Sequence, residues 1–379
     1  MSRALIAGGG VCGASLAILL GRQGIEVELF ERRQFPHEKP CGEGLMPAGV
    51  AVLERMGLAE AVGGAPFRSI RYHLGDVMVE GRFPSREGQS ATGRGQRRLR
   101  IDEALFRAAT RTSGVTARMG ANVESLLTEN GRITGLVVDG NARRGDLVVA
   151  ADGLNSPIRK SLGFDQPLRK RRFGLRAHFR LAKSSEQPPW VDVFVGRGHE
   201  LYVTPLPDGE MLVAALVEQG AMPSTPASEF SRWCRAEKEL SVRLDGAEQI
   251  TELAGCSPLS ARSRRGYAPG IVLLGDAAGF VDPITGGGMS QALVSAELLS
   301  RYIMRGMIPA DPWLAEFDRE RRRTLRDYRL LTGAMLWLAG HPLVAAGTLR
   351  AMRSAPKLCS HLAGVSGDLR PLWSGLPAS

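Results

Sequence analysis

What this 379-residue chain lacks already narrows its chemistry. Its five cysteines, Cys12, Cys41, Cys234, Cys256 and Cys359, are odd in number, widely scattered and never in Cys-x-x-Cys spacing. Reduced thiols and no structural metal are therefore expected. No run of 18 or more apolar residues is free of charges or helix breakers, and the N-terminus enters a strand pattern with no basic segment or cleavage site ahead of it. Neither a membrane span nor a signal peptide is expected, and a cytoplasmic location is. Acidic residues are outnumbered 39 to 49, giving a net charge of +10. Apart from "RKRR" at Arg169 to Arg172 and "RERRR" at Arg319 to Arg323, however, the basic residues are dispersed, and those clusters lack interleaved aromatics. No nucleic-acid partner is expected; solvated surface, or attraction to anionic cofactors, lipids or substrates, is.

The 44% of hydrophobic residues is enough for one large core or two intimately joined ones. In "ALIAGGGVCGASLAILLGRQGIEVELFERR" a short apolar run, Ala4 to Ala7, meets Gly8, Gly9, Gly10, Val11, Cys12 and Gly13, then a helical pattern to about Gln23. A second apolar strand, Val27 to Phe30, ends on Glu31 and Arg32. This is a dinucleotide-binding fingerprint: Gly8 makes the tight turn, Gly10 lets backbone approach a pyrophosphate, and Gly13 permits close packing of helix on strand. The phosphates would sit at the helix N-terminus, with Glu31 accepting from ribose hydroxyls. Cys12 reads as a small buried residue inside the fingerprint.

Two later segments repeat the strand-then-turn design. "GDLVVAADGLNSPIRKSLG" has a buried run, Leu147 to Ala151, then Asp152 and Gly153, with a helix start at Asn155 or Ser156 and Pro157 early in the helix. "GIVLLGDAAGFVDPITGGGMSQALVSAELL" has the run Ile271 to Leu274, then Gly275 and Asp276, a turn rich in glycine and proline, and a helix from about Gly287 or Gly288. Together with the amino-terminal fingerprint, in this order, these motifs resemble the flavoprotein hydroxylase superfamily, of the para-hydroxybenzoate hydroxylase and geranylgeranyl reductase type, over roughly residues 1 to 300.

The resemblance implies an α/β fold: a Rossmann-like FAD-binding domain of the glutathione-reductase type, interleaved with a mixed-sheet substrate domain and followed by C-terminal helices. On this expectation residues 1–70, 95–168 and 255–300 form a discontinuous FAD-binding domain, 71–94 and 169–254 the substrate sheet, and 301–379 a helical region. The ligand implied is FAD, with Asp276 on the ribityl chain and the turn Gly286, Gly287, Gly288 and Met289 offering N–H groups to the pyrimidine edge of the flavin. A helix N-terminus there would stabilise the negative charge of reduced flavin. Arg98 best matches the family arginine that contacts the diphosphate or ribityl region, with Arg100 the rival.

Alternating strands, "FGLRAHFRLA", "WVDVFVG", "ELYVTPLP" and "GEMLVAALVE", fill the middle of the chain, followed by one amphipathic helix around Ser228 to Leu240. With short strand patterns near Ile70 to Phe83, they resemble the sheet that covers the reactive side of the flavin, so an apolar or aromatic small molecule would lie between sheet and ring. Pocket candidates are Cys41, His178, Tyr202 and Pro283, with Arg176 beside His178 on one strand face; no general base is assigned. "TLRDYRLLTGAMLWLAGHPLVAAG" is apolar yet broken by Gly340 and Pro342. Packing on the sheet is expected of it in preference to peripheral membrane contact.

Within the superfamily three branches compete. "GDAAGFVDPITGGG" and "KPCGEG" look like the prenyl reductases, but of the Tyr-x-Trp-x-Phe-Pro strand of that branch the stretch Glu200 to Pro205 keeps one aromatic in three. "GEGLMP" is similar to a halogenase loop, while the Trp-x-Trp-x-Ile-Pro motif is absent. The resemblance then implies an FAD-dependent monooxygenase that hydroxylates an aromatic or polyketide-like molecule with NAD(P)H and O2 by way of a flavin C4a-hydroperoxide. Reduction of C=C bonds in a prenyl or other lipophilic substrate is the alternative, ahead of halogenation or of flavin binding without turnover. With no second glycine fingerprint, NAD(P)H would bind transiently, or a separate reductase would deliver electrons. In "KPCGEGLMP" the family brings chain down along the flavin. By that resemblance Lys39 is offered to FAD phosphates or an anionic substrate, Cys41 would lie near the ring, Gly42 and Gly44 would let backbone pass close to the cofactor, and Glu43 faces either ligand or solvent.

Overall fold

In a computed structural model, residues 2–39, 41–86, 89–168, 172–182, 188–304, 312–367 and 370–374 are described. Pro40 and three of the four residues of the Arg169–Arg172 cluster lie outside them. The apolar run Arg3–Ala7 is the centre of a six-stranded sheet, flanked in parallel by Glu26–Glu31 and Leu147–Ala150. Beyond these stand Val115–Met119 and Ile271–Leu273, also parallel, and a short antiparallel edge, Tyr267–Ala268. Ala4, Leu5 and Ile6 have no exposed surface, because both faces of the sheet are covered. Burial on both faces explains why this strand reads as a continuous apolar run.

One face packs against helices Val11–Arg22, Arg98–Thr110 and Gly288–Met304. The other packs against the meander Val123–Glu129, Arg132–Val138 and Asn141–Arg144. Strands Arg3–Ala7, Glu26–Glu31, Leu147–Ala150 and Ile271–Leu273 all end on the same edge, so Gly8, Glu31, Asp152 and Asp276 arrive together there.

A second, eight-stranded sheet runs in the order Glu248–Gln249, Arg172–Arg180, Glu210–Glu218, His199–Pro205, Trp190–Val195, Ser69–Leu74 and Val77–Arg82, with Ala254–Cys256 also paired to Arg172–Arg180. Its neighbours are antiparallel except Trp190–Val195 beside Ser69–Leu74. Alternation along each strand divides the faces. Phe173, Ala177 and Phe179 meet the helices outside, while Gly174 and Arg176 line the cavity inside. Those outer helices are two, Pro226–Ala236 and Lys238–Leu244, rather than the single one expected. The break falls at Glu237, the one charged residue on the stripe that otherwise carries Phe230, Trp233 and Leu240 inward.

After residue 311 the chain is helical: Pro312–Thr324, Arg326–Ala339, Pro342–Arg353 and Pro356–Ser366. Proline opens three of the four, a position where its missing N–H costs nothing. The last helix lies against the hairpin strand Val77–Arg82 so closely that a Cβ on Gly81 would stand 2.7 Å from the Cys359 carbonyl oxygen. Among the described residues no helix is long and apolar enough to cross a membrane.

Helix Val11–Arg22 presses on the turn that precedes it, and a Cβ on Gly13 would lie 1.9 Å from the Gly8 carbonyl oxygen. Gly13→Ala is therefore expected to lower stability by about 1–3 kcal/mol through backbone displacement. Gly333→Ala, mid-helix with nothing within 4 Å, is expected to raise it by about 0.5–1 kcal/mol. Denaturant unfolding of the two variants checks both signs.

Candidate active site

A cavity of about 560 Å³ extends from the shared strand edge to the inner face of the large sheet. At its first end the chain turns at Gly8, whose φ is +104° and where a Cβ would meet the Ala151 carbonyl oxygen at 2.3 Å, so only glycine fits. Gly10 caps the helix Val11–Arg22 with no side-chain hydrogen bond and no acidic residue in the first turn. The N–H groups of that turn are left for a ligand, and an anion suits them. Lys39 and Arg98 converge on the same spot: their terminal nitrogens lie 3.5 and 3.6 Å from where a Cβ on Gly10 would be. Both cations are held by Asp102, which is fully buried and takes Lys39 at 2.9 Å and Arg98 at 3.0 Å. Burial works to raise the Asp102 carboxyl, but Arg98 and Lys39 hold it below the ordinary carboxylate range. Asp102 was not foreseen; its signal was an acid four residues after an arginine at a helix start. Arg100, the rival to Arg98, points away to Glu103 with its side chain 67% exposed.

Glu31 ends its strand buried, accepting from Gly9 N at 2.9 Å and from Arg33 N at 3.0 Å, and it lines the cavity with Arg32. Further along, Asp152 accepts from Ile158 N at 3.2 Å through one carboxylate oxygen, while the other is buried with no partner among the described residues. Burial pushes the carboxyls of Asp152 and Asp276 up, and Asp276 faces the cavity with no side-chain hydrogen bond to the described residues. Two desolvated acceptors beside Gly153, at φ +85° with open space around it, suit a ligand rich in hydroxyls.

At the second end the cavity is bounded by Cys41, Gly42 and Glu43 on one side and by Pro283 to Gly286, Gly288 and Met289 on the other. The turn Pro283–Thr285 is capped by Asp282, whose Oδ1 accepts from Ile284 N at 3.0 Å, and is pinned from the large sheet. Tyr202 donates to the Ile284 carbonyl at 2.8 Å, and Arg172 bridges Asp282, at 2.9 Å, to Glu200. Burial pushes the Glu200 carboxyl up to about 7 against the pull of Arg172. Tyr202 thus lines the cavity as an anchor for the turn. Gly287 does not line it: its N–H donates to the Tyr328 hydroxyl at 3.1 Å, and a Cβ there would strike the tyrosine ring at 2.3 Å. Gly13 and Gly275 likewise stand behind the lining, Gly275 at φ +58° against Cys12.

The expectation for His178 needs correction. It is completely buried and off the cavity wall, with Nε2 2.7 Å from Glu43 Oε2 and Nδ1 3.1 Å from Thr251 Oγ1. Glu43 occupies the space between His178 and the cavity, so the acid is neither free toward a ligand nor at the surface. Its other oxygen accepts from Arg98 N at 2.8 Å, and its backbone sits at φ +54°. Arg176, next on the strand, does reach the cavity, held by Glu38 and His178. Cys41 lines it as a free thiol whose acidity burial lowers, with Arg98 opposing. Cys256 comes to the same cavity from a distant strand, which spacing in the chain could not reveal.

Beyond that turn the wall is apolar. Phe67, Ile70, Tyr72, Val191, Val193 and Leu216 project from the large sheet and its flank, and Leu259 closes the end. Alternation marked these residues as facing one way but not toward what. The whole arrangement fits FAD: a cationic glycine turn for the diphosphate, buried carboxylates for ribose and ribityl hydroxyls, and a helix start at Gly288 for the ring.

Residues 1–326 match the family model described as "FAD binding domain". Squalene epoxidase from Schizosaccharomyces pombe is 28% identical over 327 residues, 80% of this chain and 70% of that protein. Menaquinone reductase from Mycolicibacterium smegmatis is 25% identical, covering 80% and 76%. Among solved structures, a flavoprotein/dehydrogenase from Cytophaga hutchinsonii superposes with a TM-score of 0.83 at 20% identity over 97% of this chain and 92% of its own, which shows the fold.

Asp276→Ala, which removes an acceptor inside the cavity, is expected to weaken FAD binding by roughly tenfold or more, measured by flavin fluorescence titration, with the melting temperature of the apoprotein unchanged. Because the Glu200 carboxyl lies higher in the folded chain than its ordinary 4.5, the folded state holds its proton more tightly than the unfolded state. Its contribution to stability is therefore present at low pH and lost as pH rises from about 4.5 to about 7. Glu200→Gln is expected to flatten that part of a melting-temperature profile.

Proposed function

The chain belongs to the FAD binding domain family, and we propose that this FAD-dependent oxidoreductase is a monooxygenase placing one oxygen atom of O2 on a lipophilic aromatic or polyketide-like molecule. The observation that carries the reading is the chamber between the Pro283–Gly286 turn and the large sheet. Its walls are mostly apolar, Phe67, Ile70, Val191, Val193 and Leu216 with the ring of Tyr72, and two of the polar groups that reach it are already engaged. Tyr202 is spent on Ile284 and Thr204 donates to the Gly42 carbonyl at 2.9 Å. A substrate there is gripped by apolar burial and shielded from water, which oxygen transfer needs because competing hydrolysis and proton leakage are suppressed.

When bound, FAD would supply the redox chemistry that couples oxidation of NAD(P)H to reduction of O2. The protein's part is placement. Lys39, Arg98 and the free N–H groups after Gly10 would hold the diphosphate, and Glu31 and Asp276 would take the sugar and ribityl hydroxyls. Gly288 and Met289 would present the helix start to the ring, and Tyr202 and Arg172 fix the Pro283–Thr285 turn. The overall balance is substrate C–H, O2, NAD(P)H and a proton giving substrate C–OH, water and NAD(P)+. Squalene epoxidase and menaquinone reductase, the relatives above, are named for lipophilic substrates, which supports the apolar class.

Reduction of a C=C bond is the second reading, and one residue favours it. Cys41 is a partly buried thiol on the cavity wall whose acidity burial lowers, able to give a proton to a substrate carbon. The readings separate under 18O2. Mass spectrometry of products from a panel of alkylated phenols and quinones is expected to show one 18O atom per product and nothing formed without oxygen. Cys41→Ser is expected to keep the rate within about threefold. A saturated product formed anaerobically, and lost with Cys41, would establish the reductase instead.

A further inference from the structure

Helices Arg326–Ala339 and Pro342–Arg353 meet at an elbow bent by 119°. The first has two unlike faces. Inward, Met335, Leu336 and Ala339 pack against Leu216, Leu259 and Ile284, all three of which line the cavity. Outward, Leu330, Ala334 and Trp337 follow one another at helical spacing in the solvent, Leu330 50% and Trp337 55% exposed. At the corner the Trp337 ring stacks on His341 at 4.3 Å, and Leu343 follows, 90% exposed, with Val344 at 44%. Large apolar side chains so placed oppose solubility unless something covers them.

Charge says what. From Tyr328 to Gly367 the chain has no acidic residue. Arg350, Arg353 and Lys357 are exposed at the far end of the second helix and beyond it, with no ion pair to any described residue. A second copy of a chain carrying +10 would bring like charges together. A surface with apolar depth and negative headgroups answers both features. The helices of 14 and 12 residues would each reach about 21 Å or less, short of a hydrocarbon core of about 30 Å. They are built to lie on a bilayer rather than cross it.

We propose that this elbow docks the protein on an anionic phospholipid membrane, with Trp337, Leu343 and Val344 entering the interface and Arg350, Arg353 and Lys357 facing the headgroups. The membrane then lies one helix away from the cavity, on the side where its apolar chamber ends. Docking is independent of which reaction the flavin runs, and its test needs no turnover. FAD-loaded protein is floated with phosphatidylcholine vesicles, with and without phosphatidylglycerol. Flotation with the anionic vesicles is expected, reduced by roughly tenfold or more in Leu343→Asp and Trp337→Asp, and losing its preference for phosphatidylglycerol in Arg350→Glu/Arg353→Glu. Flavin content and melting temperature, which the exposed positions should leave unchanged, identify any variant that has misfolded; Leu343→Ser then replaces it. Wild-type protein that floats with neither vesicle overturns the proposal, as does binding that Leu343→Asp and Trp337→Asp leave intact. A dimer in sedimentation velocity that Leu343→Asp dissociates, without vesicle binding, assigns the face to a second copy instead.

Discussion

One buried carboxylate, Glu43, joins the three parts of the molecule that must meet around the cofactor. It rides on the loop after Lys39, receives the Arg98 amide at the start of the Arg98–Thr110 helix, and touches the His178 ring on the large sheet. Its φ of +54° means that a residue other than glycine is held in the left-handed region, at a cost of about 1–3 kcal/mol that surrounding contacts must offset. Those contacts place Cys41 and Gly42 on the cavity wall and aim Arg98 at the glycine turn. Removing Glu43 would leave His178 buried without one partner, which costs about 1–3 kcal/mol in addition.

The same economy of construction appears at the opposite wall, where Arg172, Glu200, Asp282 and Tyr202 hold the Pro283–Thr285 turn from the large sheet. Both networks run from that sheet to the chain around the flavin site, so relative sliding of the two layers would disturb several buried polar groups at once. Several polar side chains on the sheet's inner face, Arg172, Glu200, Tyr202 and Thr204, are consumed in this framing, and the surface left to meet a substrate is mostly apolar. The chemistry follows from that division. The protein holds, orients and dries the site, and the cofactor carries the difficult step.

Sequence alone was most informative where backbone geometry demands a residue type. Gly8, Gly10 and Gly13 announced the first βαβ unit because no other residue fits the Gly8 turn or the approach of Gly13 to it, and Asp152 and Asp276 were marked by the resemblance of the two later strand-turn motifs to a family. It was least informative where a side chain's role depends on a distant segment. His178 alternates with Arg176 as a strand predicts, yet only the loop carrying Glu43 turns it from a pocket group into a brace. Gly287, adjacent in sequence to two cavity-lining neighbours, is turned away by Tyr328, 41 residues later.

The chain's local order therefore determined the parallel βαβ core, the glycine turn and the strand alternation, because each rests on near-neighbour sterics and a period of two or 3.6 residues, while FAD as the ligand came from the resemblance of the three motifs to a family. Tertiary structure decided which face of the eight-stranded sheet meets the flavin site, that Cys256 shares a cavity with Cys41, and that Asp102 gathers Lys39 and Arg98. It decided as well that one side of the helix Arg326–Ala339 closes the chamber while the other is left uncovered. Those outcomes depend on contacts between residues far apart in the chain, which no local pattern encodes.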